Sequence, residues 1–462
     1  MPVFFVLYFA TPLLLRNGLL LVASLAFYTI DGGLITAVLV ASIVVNYYFG
    51  ELVERVSEGW LRSAILIVGI ALNLLPLLYY KYWNFLQSAA HDVGSFLSHQ
   101  QPLVLANIVL PAGISFFTFQ GLSYIIDLYR HQIRSAPTLV DFGMYHTLFP
   151  QLVAGPIVRY REVQSRIRDR ISSWTDVEHG LVRFCIGLAK KIIIADSMGT
   201  LADRMFELGA DQLTPSAAWI GALTYTLQIF FDFSGYSDMA IGLGRMLGFR
   251  FPENFDQPYR SRSITEFWRR WHMTLSRWFR DYLYIPLGGN RAGPARTYFN
   301  LFLVFVLCGL WHGAAYTFLF WGVFHGILLV IERLNRNFIK LPALAGLDWL
   351  MTILLVIVGW VFFRAAGLGQ ALFFLKAMAG FGAATSGYDP FAFLTPDKVV
   401  FFGLGVIISL VRFETIERAI LRMKPNIIAL RALQHAGALC LFCYSAVLIA
   451  ANGFNPFIYF RF

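Results

Sequence analysis

Apolar runs long enough to cross a bilayer recur from Phe4 to Ala451, with only short polar intervals between them. Hydrocarbon offers no partner to a backbone N–H or C=O, so each such run must satisfy its own hydrogen bonds as a helix. At about 1.5 Å per residue, some 20 residues span the ~30 Å core. Candidate crossings lie near 3–29, 33–53, 61–80, 103–127, 180–207, 216–248, 298–332, 346–364, 397–411 and 432–451, with shorter pieces near 141–157 and 369–383. The pattern predicts an all-α integral membrane protein of about 10–11 transmembrane helices plus re-entrant and interfacial helices. The 14% of charged residues is well below the ~25% of soluble domains. Nothing of useful length remains for a separate soluble domain, so 1–462 reads as one polytopic body. The N-terminal run lacks a basic leader and a small-residue cleavage site, and reads as a first span.

The scarce charge is concentrated. Arg159 to Arg170, Arg250 to Arg296 and Arg412 to Arg431 are the most basic intervals, and Arg/Lys bias in short loops predicts that all three face the cytoplasm. The span 432–451 would then carry the C-terminus to the opposite face. A net charge of +10 is read as orientation, and nucleic acid is excluded as a partner because no solvent-exposed basic face exists outside the membrane loops. Cys185, Cys308, Cys440 and Cys443 all lie in apolar segments and read as helix-packing thiols, with no metal centre expected.

The run 298–332 is too long for one crossing, at roughly 50 Å as a single helix, and both flanks carry basic charge. Two helical pieces broken near Gly309-Leu-Trp-His-Gly313 are expected, returning to the same side, with the break lining a cavity. That puts His312 in an apolar setting, where an ionisable residue is expensive and function is the default reading. His272 belongs to Glu266-Phe-Trp-Arg-Arg-Trp-His-Met-Thr-Leu-Ser-Arg-Trp-Phe-Arg-Asp-Tyr282. At about 100° per residue, Trp268, Trp271, Leu275, Trp278, Phe279 and Tyr282 gather on one face, and Arg269, Arg270, Arg277 and Arg280 on the other. An interfacial helix aiming His272 inward explains this; the plain alternative is an anchor with an incidental histidine. His325 has supporting and purely structural readings open. Asp232 and Asp238, in Phe-Phe-Asp-Phe-Ser-Gly-Tyr-Ser-Asp, need partners in lipid, and are expected to brace the bundle or to orient a catalytic histidine. Asn254-Phe-Asp-Gln-Pro-Tyr259 is a further polar stretch among aromatics. Nucleophile elbow, Walker A loop, His-Glu-x-x-His and Rossmann fingerprint are all absent. What remains is imidazole, able to take a proton from a hydroxyl, beside arginines suited to phosphate-bearing donors.

The string Phe267-Trp-Arg-Arg-Trp-His272-Met-Thr-Leu-Ser-Arg-Trp-Phe-Arg-Asp-Tyr-Leu-Tyr-Ile-Pro-Leu-Gly-Gly-Asn290, followed by Leu310-Trp-His312-Gly, resembles the membrane-bound O-acyltransferase (MBOAT) family. Phe231-Asp-Phe-Ser-Gly-Tyr-Ser-Asp-Met-Ala-Ile-Gly242 and Leu148-Phe-Pro-Gln-Leu-Val-Ala-Gly-Pro156 resemble its alginate O-acetylation branch. The resemblance is strongest from about Leu110 to Glu332. It implies a helical bundle around a central funnel, with His312 as the family's characteristic histidine and His272 as its second polar position. It further implies transfer of acetyl from acetyl-CoA or another cytoplasmic acyl thioester, used as a substrate with no bound cofactor. The destination is an exported polysaccharide, by way of a periplasmic SGNH-type acetyltransferase, at a bacterial inner membrane. Arg269, Arg270, Arg277 and Arg280 become donor-docking candidates. The terminal Asn455-Pro-Phe-Ile-Tyr459-Phe-Arg-Phe462 resembles the end of a small partner in teichoic acid D-alanylation, which makes Tyr459 a candidate acyl relay, with an aromatic-belt anchor as the alternative. Cellulose, peptidoglycan or teichoic acid as acceptor polymers, and a proton-coupled transporter, are the competing functions; no inverted repeat favours transport.

Overall fold

A computed structural model describes residues 2–97, 108–335, 346–381, 388–423 and 426–458. Every regular element among them is helical. Six stretches are long and apolar enough to cross a membrane: Leu13–Arg55, Trp60–Asp92, Pro294–His312, Tyr316–Leu334, Leu347–Arg364 and Ile427–Asn452. The first holds two helices, α1 (Leu13–Gly32) and α2 (Thr36–Arg55), joined at Gly33, whose φ of 50° suits glycine. The other expected runs also fold as helices among the described residues, but these are shorter or carry buried charge.

The described chain forms two compact units. Unit 1 comprises 1–178 and 243–252, and contains α1, α2, α3 (Trp60–Leu77), α4 (Ile114–Tyr129) and α5 (Leu139–Thr147). Its interior is stitched by polar pairs, because apolar contact alone drives little association in lipid. Asn46 and Asn73 exchange amide hydrogen bonds of 2.9 Å between α2 and α3. Gly121 of α4 lies against that pair, where a Cβ would come within 2.6 Å of both amides. Arg170 donates to the Tyr8 hydroxyl at 2.8 Å and to Asn17 Oδ1 at 2.5 Å, while Asn17 in turn donates to Asp141. The basic 159–170 interval is therefore partly consumed in packing.

Unit 2 comprises 179–242 and 253–462. It takes in α6 (Trp174–Ala189) from His179 on and α7 (Pro215–Met246) as far as Gly242, followed by α8 (Ile264–Arg270) and α9 (Met273–Phe279). Next come α10 (Pro294–His312), α11 (Tyr316–Leu334), α12 (Leu347–Arg364), α13 (Pro396–Leu410), α14 (Phe413–Arg422) and α15 (Ile427–Asn452). The over-long run breaks where expected, after His312. Helices α10 and α11 form a tight antiparallel hairpin whose crossing is lined by glycine. A Cβ on Gly309 would stand 2.3 Å from the Phe318 carbonyl, and one on Gly322 2.4 Å from the Phe305 carbonyl. Each arm has 19 residues, about 28 Å of helix and enough for a full crossing.

Two expectations are corrected. The single interfacial helix from Glu266 to Tyr282 is two short helices, broken at Trp271–His272, with His272 in the left-handed region at φ 44°. Cys185 and Cys308 pack inside, but Cys440 and Cys443 lie exposed on α15, on a helix of crossing length whose surroundings would be lipid.

Candidate functional site

The kink at His272 is what builds the site. With His272 in the left-handed region, the N–H groups of Met273 and Thr274 turn toward residue 254. Met273 N–H donates to the Asn254 carbonyl at 2.9 Å, and Thr274 N–H to Asn254 Oδ1 at 3.2 Å. Asp256 N–H closes the pairing on the Arg270 carbonyl at 2.9 Å. A non-glycine residue in this region costs about 1–2 kcal/mol, offset here by these bonds.

Asn254 then fixes the histidine. Its Oδ1 already accepts a backbone N–H and the Thr274 hydroxyl at 2.8 Å, so it is an acceptor toward His272 Nδ1, 3.1 Å away. The proton therefore resides on Nδ1. Nε2 is left as a bare lone pair, fully buried and with no hydrogen-bond partner among the described residues. His272 lies outside the crossing-length helices, and burial pushes its imidazole down to about 3, so the ring stays neutral. The arrangement is that of a base oriented by a neighbouring acceptor.

His312, the last residue of α10, sits across from it, with ring centroids 6.4 Å apart. Aromatic rings enclose it: Trp311 at 4.9 Å, Trp321 at 5.1 Å and Phe363 of α12 at 5.2 Å. Gly313 permits the turn after it, since a Cβ there would collide with the Phe318 ring at 2.2 Å. Among the described residues no group of three or more His, Cys, Asp and Glu side chains gathers at metal-ligand spacing.

The hairpin also relocates His325. On one straight helix it would oppose His312; across the hairpin both rings touch Trp321, His325 at 5.0 Å. His325 Nδ1 accepts from the Trp268 indole at 3.4 Å. Gly359 makes room for it, a Cβ there reaching to 2.8 Å of Nε2. His325 thus braces the aromatic wall one ring behind His312.

Both aspartates are held by basic side chains. Asp238 is held by Arg183 at 2.8 Å and Lys190 at 2.6 Å. Asp232 is paired with buried Lys191 at 2.7 Å and accepts from the Ile458 N–H at 2.9 Å. These ion pairs are what the bracing reading requires. Tyr459 lies outside the described residues, but Phe457 and Ile458 before it are buried in unit 2. Of the four arginines, Arg270 bonds Glu266 and Asp256, Arg280 bonds Asp281, Arg277 reaches the Met273 carbonyl, and Arg269 is exposed.

A cavity of about 1360 Å³ lies within unit 2 among α6, α7, α13, α14 and α15. Neither His272 nor His312 lines this cavity. Asn254 and its 3.2 Å partner Ser237 form part of its wall, with His272 directly behind. Asn254 and the aromatic box of Trp321 and Phe363 were missed as site residues. The Asn-Phe-Asp-Gln-Pro-Tyr string was the only local signal for the first; the second depends on contacts 50 residues apart.

The sequence profile of the membrane-bound O-acyltransferase family matches residues 126–373, which contain every described residue of this site. The chain is 46% identical over 391 residues to the probable alginate O-acetylase AlgI of Pseudomonas aeruginosa, covering 83% of this chain and 73% of that one. It is 41% identical to the probable alginate O-acetylase AlgI of Azotobacter vinelandii, over 100% of this chain and 98% of the relative. The peptidoglycan O-acetyltransferase of Helicobacter pylori is 38% identical over 82% of this chain and 78% of its own.

Proposed function

This chain belongs to the membrane-bound O-acyltransferase family, and from that premise we propose that it moves acetyl from a cytoplasmic thioester across a bacterial inner membrane for O-acetylation of an exported polysaccharide such as alginate. It is a multi-pass membrane acyltransferase; the donor, the acceptor and the residue roles are the proposal. The observation that carries it is the buried His272–His312 pair, 6.4 Å apart at the hairpin turn. The higher identity to alginate O-acetylases, 46% and 41% against 38% for the peptidoglycan enzyme, favours alginate as the acceptor class, and nothing in the family membership favours transport.

His312 acts as general base, taking the proton of the acceptor hydroxyl as its oxygen attacks the thioester carbonyl. The C–O bond forms, the C–S bond breaks, and the leaving thiolate takes up a proton. His272, through its bare Nε2, positions donor or acceptor. Acetyl-CoA is the proposed donor. Tyr459 is the proposed relay, its phenol accepting acetyl and passing it to a periplasmic SGNH-type transferase. The burial of Phe457 and Ile458 supports a docked tail, and the terminal span allows the tail to reach the far face.

Proteoliposomes loaded with radiolabelled acetyl-CoA test this. Acetyl should appear covalently on protein or polymer, His312→Ala should cut transfer by the 10²–10⁴-fold typical of acid–base catalysis, and Tyr459→Phe should abolish label on the protein. Transfer at the normal rate by His312→Ala protein that elutes as a folded species would refute the assignment.

A further inference from the structure

A second cavity of unit 2, about 590 Å³, is walled by Arg260, Arg262, Arg270, Arg412, Glu266 and Trp349 among others. Four guanidiniums converge there against two carboxylates, Glu266 and Asp256, and both of those bond Arg270, at 3.0 and 2.8 Å. Arg262 and Arg412 are exposed, with no acidic partner for either side chain among the described residues. Among the described residues, the wall of the bowl is therefore richer in guanidinium than in carboxylate. Arg260 shows the strain: burial, then the charges of Arg412 and Arg270, push its guanidinium below the usual arginine range. Like charges held together in one concavity are the complement of an anion, and planar guanidinium forks match phosphoryl oxygens in particular. Trp349 is tethered by its indole N–H to the Tyr259 carbonyl at 2.8 Å.

The bowl does not stand alone. Arg270 and Arg412 line it and also line the 1360 Å³ cavity, which has an apolar wall of Ile, Leu and Phe from α7, α13, α14 and α15 and a polar side that includes Asp238, Glu253 and Asn254. An anchor for negative charge therefore opens onto an apolar chamber that ends one residue from His272.

We propose that Arg260, Arg262, Arg270 and Arg412 form a binding site for the phosphate groups of a ligand that carries a long flexible arm, the arm lying in the adjoining apolar cavity. A coenzyme A-type thioester and an anionic phospholipid share this chemistry. The first of these sources rests on the acyl-transfer reading above; the second does not.

The test uses full-length protein in neutral detergent, with adenosine 3′,5′-bisphosphate as the probe for the nucleotide source and phosphatidylglycerol against phosphatidylcholine nanodiscs for the lipid source. Arg260→Gln and Arg412→Gln should each weaken binding of one probe about tenfold or more, the value of a charged hydrogen bond, while Arg291→Gln, on an exposed loop residue, should not. Loss confined to the bisphosphate assigns the donor, and loss confined to phosphatidylglycerol assigns a lipid. Absence of binding to either probe, or equal binding by the arginine variants, overturns the site. The two readings fail separately: protein that binds bisphosphate through these arginines yet transfers no acetyl sinks the acyltransferase assignment and leaves the bowl intact. For the donor case a kinetic signature follows. Arg260→Gln should raise KM for acetyl-CoA with kcat little changed, and leave use of the phosphate-free N-acetylcysteamine thioester as in the parent.

Discussion

At the scale of single residues, the site depends on one amide. Asn254 Oδ1 is committed as an acceptor by the Thr274 N–H, and that commitment puts the His272 proton on Nδ1. Asn254→Asp keeps the acceptor toward Nδ1, so it should retain most activity. Asn254→Leu removes the acceptor and frees the ring to turn, and should lower transfer by about 10–100-fold, the cost of losing a partner that orients a functional histidine; an unchanged rate in the leucine variant would show that tautomer control does not matter. Burial has a second consequence. His272 has a folded-state value near 3, well under the ~6.5 of an unfolded imidazole. Its contribution to stability is complete above ~6.5 and declines as pH falls toward 3, because only the unfolded chain binds the proton. His272→Gln should therefore lose less Tm than the parent between pH 7.5 and pH 4.5 when unfolding is followed in detergent. None of this could be read from the helical pattern around Glu266 to Tyr282. Periodicity records which face is apolar; it is silent on the sign of φ at one residue, and on a partner 18 positions upstream. The inward aim of His272 was legible, since an aromatic stripe has to be buried whether the helix is straight or kinked.

At the scale of elements, the α10–α11 hairpin decides where His312 lies. Its two arms approach through Gly309 and Gly322, so closely that either Cβ would press on a backbone carbonyl at 2.3 or 2.4 Å. Overpacking of this kind costs about 1–3 kcal/mol and forces backbone shifts. Gly322→Val should lower Tm by several degrees in detergent and depress transfer, whereas Gly403→Ala on α13, where nothing lies within 4 Å of a new Cβ, should do neither. Equal behaviour of the two variants would mean the arms can separate freely. The break itself was visible in the sequence, because a run of some 50 Å cannot fit a ~30 Å core as one helix. That both arms reach crossing length was not, since the flanking charge of Arg296 and Arg333 blurs where each arm ends. Lys190 and Lys191, which follow α6, pair with Asp238 and Asp232 of α7, and hydropathy counts each of those charges as a liability even when it is neutralised, so this part of the chain does not stand out as a clear crossing.

At the scale of the whole molecule, the question is how a chain this poor in charge spends the charge it buries. Lys191, 2% exposed, lies between Asp232 and Asp196, both at 2.7 Å. The C-terminal segment closes over the same cluster: Ile458 N–H donates to Asp232, Lys191 reaches the Pro456 carbonyl at 3.5 Å, its ammonium stands 5.0 Å over the Phe457 ring, and Phe457 meets Tyr236 edge-on. One buried cation thus supports α7 and holds the end of the chain to it. Removing one member of a buried pair strands the other and costs about 3–5 kcal/mol, whereas removing both is often near neutral. Lys191→Met should therefore destabilise strongly, and Lys191→Met with Asp232→Asn should recover much of the lost Tm. The tail is the discriminating readout. The double variant returns the cluster to the net charge of the parent, with Asp196 deprived of Lys191, but has lost the carboxylate and ammonium that grip residues 456–458, so its C-terminal segment should be cut by carboxypeptidase while that of the parent is protected. It should also form less acetyl-protein, if Tyr459 is the relay. Recovery of Tm together with full protection of the tail would show that the ion cluster braces the bundle alone and that the terminal segment is held by its aromatic contacts.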